Sequence, residues 1–297
     1  MLQILRDDLV SDVLINEDGA VFVERVGEPM AKSSVVLLPA RRASLVKTAF
    51  ALGGGMAEAG SPILETRIPG EGWRFEGILS PVVSSPVISI RKPARSVFSL
   101  ASYVSEGRMS AGVCEALRCA VMSRKNILVV GGTGSGKTTL ANALLGVVAS
   151  ECPEQRVLIL EDTPELQCLC DNRVAMVATQ RTSLLDLLKA SMRLRPDRIV
   201  VGEVRGPEAL VMLSAWNTGH PGGICTIHAD SSRAGLLRLE QLCAQGGARA
   251  GVREEIAQAV HAVVHIERVD GHRRVREFIE VQGLDQTGEY VWRIEHG

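Results

Sequence analysis

The sequence predicts an α/β protein in two parts: a larger domain on a parallel sheet with helices on both faces, preceded by a smaller α+β domain. Three observations carry this expectation. From residue 127 onward, short continuous apolar runs alternate with helical patterns, as in parallel strands buried on both sides. The first ninety or so residues have a different grain, with β-prone segments grouped around one helix. A chain of 297 residues with 46% hydrophobic content has enough length and apolar surface for two cores. The expected boundaries are 1–92 for the small domain, 93–109 for a linker and 110–297 for the large one.

In the small domain, Val13-Leu14-Ile15-Asn16, Asp18-Gly19 and Val21-Phe22-Val23-Glu24-Arg25 read as a hairpin with an Asp-Gly turn. Residues 39–52 carry helical spacing through Ala40, Leu45, Val46, Ala49 and Phe50, and Gly53-Gly54-Gly55 stops them. Further β-prone runs lie at Ile63–Ile68, Trp73–Leu79 and Val87–Ile90. Arg91-Lys92-Pro93-Ala94-Arg95-Ser96 combines proline with charge and predicts an extended, exposed boundary.

The large domain opens with a helix over Ser110–Ser123 and a strand at Ile127–Val130. A helix follows from Leu140, then the strand Val157–Leu160 ending in Glu161-Asp162. An amphipathic helix over Ser183–Leu194 has Leu184, Leu187, Leu188 and Ser191 on one face. The strand Arg198–Val201 leads to Glu203, Pro207–Trp216 is helical, and Ile224–His228 is another strand. Helices at about 232–243 and 252–260 precede β-like runs at 262–267, 275–281 and 289–294. Ligands of such sheets sit at the carboxyl ends of the strands. Glu161, Glu203 and His228 all fall there.

The most specific stretch is Gly131-Gly132-Thr133-Gly134-Ser135-Gly136-Lys137-Thr138-Thr139. Glycines let successive N–H groups turn onto phosphate oxygens, and the following helix adds a partial positive charge. Lys137 is placed for the β- and γ-phosphates and the Thr138 hydroxyl for Mg²⁺. A plain Gly/Ser/Thr linker would not set a Lys-Thr pair between a buried strand and a helix. The stretch predicts a nucleoside-triphosphate site. Two acidic strand ends, at Glu161-Asp162 and at Glu203, compete as the Walker B acid, and either is free to sit beside the strand that feeds the loop.

Composition narrows the class. Net charge is −1, from 33 basic and 34 acidic residues, which gives no support to nucleic-acid binding by global charge. No run is long and apolar enough for a transmembrane helix, and the acidic N-terminal stretch does not resemble a secretory signal; the expectation is a cytoplasmic protein. Cysteines at 114, 119, 152, 168, 170, 225 and 243 contain no pair of Cys-x-x-Cys elements, and predict reduced, mostly packed thiols rather than zinc ligands.

Residues 127–240 resemble the traffic ATPases of type II and type IV secretion. Leu160-Glu161-Asp162-Thr163-Pro164-Glu165-Leu166 resembles their aspartate box. Leu194-Arg195-Pro196-Asp197-Arg198-Ile199-Val200-Val201-Gly202-Glu203-Val204-Arg205 resembles the signature around their atypical Walker B strand. Thr218-Gly219-His220-Pro221-Gly222-Gly223-Ile224-Cys225-Thr226-Ile227-His228-Ala229 resembles their histidine box. Within that family the chain is most similar to the conjugal-transfer ATPases of the TrbB type. The similarity extends through Phe75-Glu76-Gly77-Ile78-Leu79, Ile90-Arg91-Lys92-Pro93-Ala94, Trp216-Asn217-Thr218-Gly219 and Val263-Val264-His265-Ile266. The lead-in before Ser11 is short against the family.

The resemblance implies a RecA-like P-loop NTPase domain, ATP and Mg²⁺ as cofactors, and a homo-hexamer that docks on inner-membrane secretion-system proteins and turns hydrolysis into domain motion. It implies that Glu161 orients the attacking water, that Glu203 is the Walker B acid near Mg²⁺, and that His228 senses the γ-phosphate. Arg181, Arg193 and Arg195 are candidates for completing a site, within a chain or across a subunit boundary; Arg74 and Arg91 are candidates for reaching nucleotide from the small domain. The rival readings are a type IV pilus or type II secretion motor, a RecA-like nucleic-acid translocase, and a nucleotide-gated structural ring.

Overall fold

The computed structural model describes all residues except 26–27, 54–60, 93–97, 180, 249, 270 and 297. The Gly54-Gly55 breaker and the Pro93–Ser96 boundary lie outside the described residues. The chain divides into two compact units, Met1–Arg95 and Ser96–Gly297.

The smaller unit comprises α1 (Leu2–Arg6), β1 (Val10–Ile15), β2 (Ala20–Arg25), β3 (Ala31–Val36), α2 (Pro39–Leu52), β4 (Ile63–Arg67), β5 (Arg74–Ile78) and β6 (Val87–Arg91). The strands form one antiparallel sheet in the order β3-β2-β1-β6-β5-β4. The Asp-Gly hairpin forms as expected, with Gly19 at φ 84°. Val46 and Ala49 of α2 close the core over Val13, Ile15, Val23, Phe75 and Ile90. Arg42 is also buried on α2, and donates to the carbonyls of Asn16, Glu17 and Pro86 and to Ser85 Oγ. Lys92, expected in an exposed boundary, is buried instead: its ammonium donates to the Leu5 and Asp7 carbonyls at 3.1 and 2.7 Å.

The larger unit continues with α3 (Leu100–Ser105), α4 (Ala111–Met122), β7 (Ile127–Gly131), α5 (Lys137–Glu151), β8 (Val157–Glu161), β9 (Arg173–Val177), α6 (Leu184–Ser191) and β10 (Arg198–Val201). It ends with α7 (Glu208–Asn217), β11 (Ile224–His228), α8 (Ser232–Gln245), α9 (Val252–Ala259), β12 (Ala262–Val269), β13 (His272–Leu284) and β14 (Tyr290–His296). Residues 98–109, expected as linker, belong partly to its core: Leu100, Tyr103 and Met109 pack with α4 and α5. An apolar side chain every three or four residues is enough to dock a short helix.

The eight strands run in the order β14-β13-β12-β7-β11-β10-β8-β9. From β12 to β9 the pairing is parallel, while β13 and β14 are antiparallel, a correction to the expected parallel sheet. The cause is local. Only Asp270 and Gly271 separate β12 from β13, and a connection that short reverses the chain, whereas a parallel crossover needs a dozen residues or more. Alternate strand residues feed the two faces: Ile127 and Val129 pack towards α4 and α5, Leu128 and Val130 towards α6–α9. The edge strands β3 and β9 remain half-exposed; Ala31-Lys32-Ser33-Ser34 lacks a continuous apolar run, whereas Val174-Ala175-Met176-Val177 of β9 is one and was legible in the sequence.

Candidate functional site

The strand order fixes what stands beside the glycine-rich loop. β7 has β12 on one side and β11 on the other, with β10 and then β8 beyond β11. Neither acidic strand end adjoins β7; the neighbour is β11, whose His228 is in register with Gly131. Glu203 is therefore two strands from the loop strand and Glu161 three.

The loop leaves β7 and becomes α5 at Gly136, which adopts φ 98°. A side chain there would be strained, and its Cβ would lie 2.9 Å from Arg273 Cδ. No side chain caps the first turn of α5, and an uncapped helix N-terminus presents N–H groups and the positive end of its dipole to an anion. Ser135 Oγ is buried in the loop with no hydrogen-bond partner among the described residues. Arg273 of β13 braces the loop from behind, its Nε donating to the Gly134 carbonyl at 3.3 Å.

Lys137 is the hub. Its buried ammonium donates to the carbonyls of Gly131 and Gly132, both at 3.0 Å, and stands 3.2 and 3.3 Å from the two ring nitrogens of His228. His228 Nε2 lies 2.9 Å from Glu203 Oε1, a close polar contact without the alignment of a hydrogen bond. Arg205 donates to Glu203 Oε2 at 2.6 Å. Lys137, His228, Glu203 and Arg205 thus form one chain of polar groups across three strand ends. Burial holds the His228 pKa below its ordinary value, and the charges of Lys137 and Arg205 add to this against the pull of Glu203. The shift favours the neutral imidazole, in which one ring nitrogen is an acceptor.

Glu161 is buried at the end of β8, and its Oε1 accepts from the backbone N–H groups of Glu165 and Leu166 at 2.8 and 2.9 Å. It packs on Gly202, where a Cβ would stand only 2.9 Å from Glu161 Cγ. That contact ties the two acidic strand ends together. Thr138 Oγ1 donates to Glu165 Oε2 at 3.1 Å. Asp162, on the exposed rim, is held above the usual carboxylate range by partial burial and by the Glu208 and Glu203 carboxylates, with Arg205 opposing.

A cleft of ≈ 340 Å³ is lined by Thr133, Glu203, Val204, Arg205, Ile227, His228 and Arg238. Among the described residues no three His, Cys, Asp or Glu side chains group so as to hold a metal ion by themselves. The oxygen donors present, the Thr138 hydroxyl and the carboxylates of Glu203 and Glu165, fit Mg²⁺, which takes few protein ligands and keeps waters and phosphate oxygens. The cysteines are free thiols, mostly buried, with Cys119 exposed.

The structure brings Gly131–Thr139, His228, Glu203 and Glu161 to one edge of the sheet. It does not bring the expected arginines there. Arg193 and Arg195 are exposed and precede β10, at the opposite edge from the loop. Arg181 is exposed in the Thr179–Thr182 turn after β9, at the far side of the sheet. Arg74 and Arg91 face each other across β5 and β6 of the smaller unit. The cations in the cleft are instead Arg205 and Arg238. Arg205 lies two residues past Glu203 and was legible from that spacing; Arg238, on α8, carries no sequence signal. Glu208 was also missed. It fixes the turn before α7 by accepting from the N–H groups of Arg205 and Gly206 at 2.7 and 2.8 Å.

The chain is 43% identical over 279 residues to the conjugal transfer protein TrbB of Rhizobium radiobacter, covering 94% of this chain and 86% of that one. Among solved structures it is similar to the VirB11 ATPase of the Brucella suis type IV secretion system, determined in complex with sulphate (28% identity, TM-score 0.53, 94% of this chain and 96% of that one). It also shares its fold with the Legionella pneumophila ATPase DotB (21% identity, TM-score 0.68, 94% and 79%). The family model described as "Type II/IV secretion system protein" matches residues 1–291, and with a match of that length this chain belongs to the type II/IV secretion system protein family.

Proposed function

We propose that this chain is a Mg²⁺-dependent ATPase with a RecA-like P-loop core that powers a type IV secretion or conjugal-transfer apparatus. The observation that carries the reading is the polar chain Lys137–His228–Glu203 laid across adjacent strand ends beside an uncapped helix N-terminus. Membership of the secretion family and 43% identity to a conjugal transfer protein support it.

The loop Gly131–Thr139 receives the phosphates, and Lys137 exchanges its two glycine carbonyls for phosphate oxygens, a trade of neutral acceptors for charged ones. Thr138 and Glu203 would hold Mg²⁺, and the ion would supply charge neutralisation at the phosphates. Glu161, anchored by two backbone N–H groups, orients the water. His228, neutral and touching both Lys137 and Glu203, reports the state of the terminal phosphate to β11. Arg205 and Arg238 line the same cleft and offer positive charge there, while Arg181, Arg193 and Arg195 serve a neighbouring subunit.

In this reading the protein is a homo-hexamer on the cytoplasmic side of the inner membrane, docked on membrane-embedded partners of the apparatus. No helix among the described residues is long and apolar enough to cross a membrane. Nucleic acid is not a partner; stimulation of turnover by DNA with a steep salt dependence would move the reading to a translocase.

The test pairs mass in solution, with and without ATP and Mg²⁺, with phosphate release against protein concentration. A hexamer whose specific activity rises with assembly supports the reading, with Lys137→Ala folded but inactive. Wild-type turnover in Lys137→Ala removes the loop from the mechanism, and a monomer with concentration-independent activity removes the shared site.

A further inference from the structure

We infer that Thr226 is a positioning residue for Glu203: its hydroxyl and its carbonyl close the seam between β10 and β11 on either side of that acid, and hold it against His228. The inference rests on the nucleotide reading above. It concerns a junction within the sheet rather than a group that meets the ligand.

The seam is built differently from its neighbours. Among the described residues, β10 and β11 are in register at one position, Val201 with Cys225. β10 shares four such positions with β8, and β11 shares five with β7. Side chains bridge much of the rest. At the start of β10, Arg198 donates to the Gly222 carbonyl at 3.1 Å. One residue on, the Trp216 indole donates to the Ile199 carbonyl at 3.1 Å. The indole fits there because Gly223 has no Cβ, which would overlap the ring. Past the end of β10, Thr226 Oγ1 donates to the Gly202 carbonyl at 2.7 Å, and the Thr226 carbonyl accepts from Val204 N at 3.2 Å.

The seam runs between the two halves of the site. Lys137 opens α5 after β7 and His228 ends β11, on one side; Glu203 follows β10 and Glu161 ends β8, on the other. The halves meet where His228 Nε2 stands 2.9 Å from Glu203 Oε1. Thr226 lies two residues before His228 in β11 and is bonded to the residues on both sides of Glu203. Its hydroxyl bond spans strands that have left regular pairing, and crevices of such sheets open at the carboxyl ends of the strands. Thr226 is 2% exposed, so water does not readily replace its hydroxyl, and removing that group takes a donor from the Gly202 carbonyl. Without the tie, the backbone at Glu203 can shift away from β11. A misplacement of about 1 Å in a catalytic site is worth about 100-fold in rate.

The experiment measures phosphate release against ATP concentration, with Mg²⁺ in excess, for full-length wild type, Thr226→Ser, Thr226→Val and Trp216→Phe. Affinity for a fluorescent ATP analogue in EDTA and a thermal melt accompany each. Thr226→Val is expected to lose about 10-fold or more in kcat, while its affinity in EDTA, set by the loop and Lys137, stays at the wild-type value. Thr226→Ser, which keeps the hydroxyl, recovers most of that loss. Trp216→Phe removes a donor from the same seam farther from the site, and lowers the thermal midpoint without the loss in kcat. In a Glu203→Gln background, Thr226→Val costs little more, because the hydroxyl acts through that acid. Should Thr226→Val fail to fold, Thr226→Cys, similar in size and a weak donor, takes its place. A wild-type kcat in the folded variant, an equal loss in Trp216→Phe, or an undiminished loss in the Glu203→Gln background overturns the inference and leaves Thr226 as a strand tie. Wild-type protein that neither binds nor hydrolyses ATP overturns the reading beneath it, and is a different result.

Discussion

Substitution of Glu161 separates a structural task from a chemical one. The carboxylate is 4% exposed, and its Oε1 accepts two backbone N–H groups at 2.8 and 2.9 Å. A hydrogen bond to a charged group contributes about 1.5–3 kcal/mol, and a neutral one about 0.5–1.5 kcal/mol. Glu161→Gln can keep an amide oxygen where Oε1 sits, so each bond weakens by about 1–1.5 kcal/mol, roughly 2–3 kcal/mol for the pair. Part of this is returned because a neutral amide is cheaper to bury than a carboxylate. Glu161→Ala leaves both N–H groups without their acceptor, at about 1–3 kcal/mol each. At about 2–4 °C per kcal/mol for a unit of this size, the glutamine variant loses a few degrees in thermal midpoint and the alanine variant clearly more. Turnover behaves differently. Loss of a group that orients and activates water costs about 10²–10⁴ in rate, so Glu161→Gln is a nearly stable protein that binds nucleotide and hardly hydrolyses it. Phosphate release, fluorescent-nucleotide binding and a thermal melt on the same preparation measure all three. Wild-type turnover in Glu161→Gln refutes the assignment. If Glu203→Gln stalls hydrolysis while Glu161→Gln does not, the two acids exchange roles.

Gly202→Ala tests the same acid from its packing partner, since the new Cβ would meet Glu161 Cγ at 2.9 Å. Displacing that side chain costs about 1–3 kcal/mol, and we expect turnover to fall more than nucleotide affinity; an unchanged rate with a normal midpoint would show that Glu161 has room to move. Stability should also depend on pH through the histidines. Burial lowers the pKa of His265 despite Glu277, Glu267 and Asp230, and lowers that of His261 beside Lys125. A lowered histidine pKa means the unfolded chain binds more protons, so stability is full above about pH 6.5 and is lost as pH falls through the folded values. A melt series from pH 7.5 to 5 should show this loss, and His265→Gln should flatten part of it; an identical slope in that variant would remove His265 as its source.

The glycine-rich loop was legible because everything that makes it is local. A buried strand, a run of glycines, a Lys-Thr pair and a helix lie within one stretch of chain, and no distant contact is needed to recognise them. The same holds for the apolar runs of β7, β8, β10 and β11 and for the helical face of α6, where the sequence period and the burial agree. Boxes at Glu161, Glu203 and His228 were readable as strand ends. Which of them touches the loop was not. Strand order is set by crossovers that pack long helices on two faces of the sheet, and it puts β11 beside β7, so that a histidine rather than an acid meets Lys137.

The remaining surprises share that cause. Glu165 reaches Thr138 across 27 positions of sequence, and Arg273 reaches Gly134 across 139; spacing holds no record of such pairs. Arg193 and Arg195 stood close to the Walker B signature in sequence, yet a strand carries its two ends to opposite edges of the sheet, and they lie on the far one. The sequence by itself determined that this protein has a glycine-rich loop between a buried strand and a helix, and acids at strand ends. The tertiary structure alone decided which side chains stand within hydrogen-bond reach of that loop, because reach depends on strand order and sheet edge, and neither is a property of neighbouring residues.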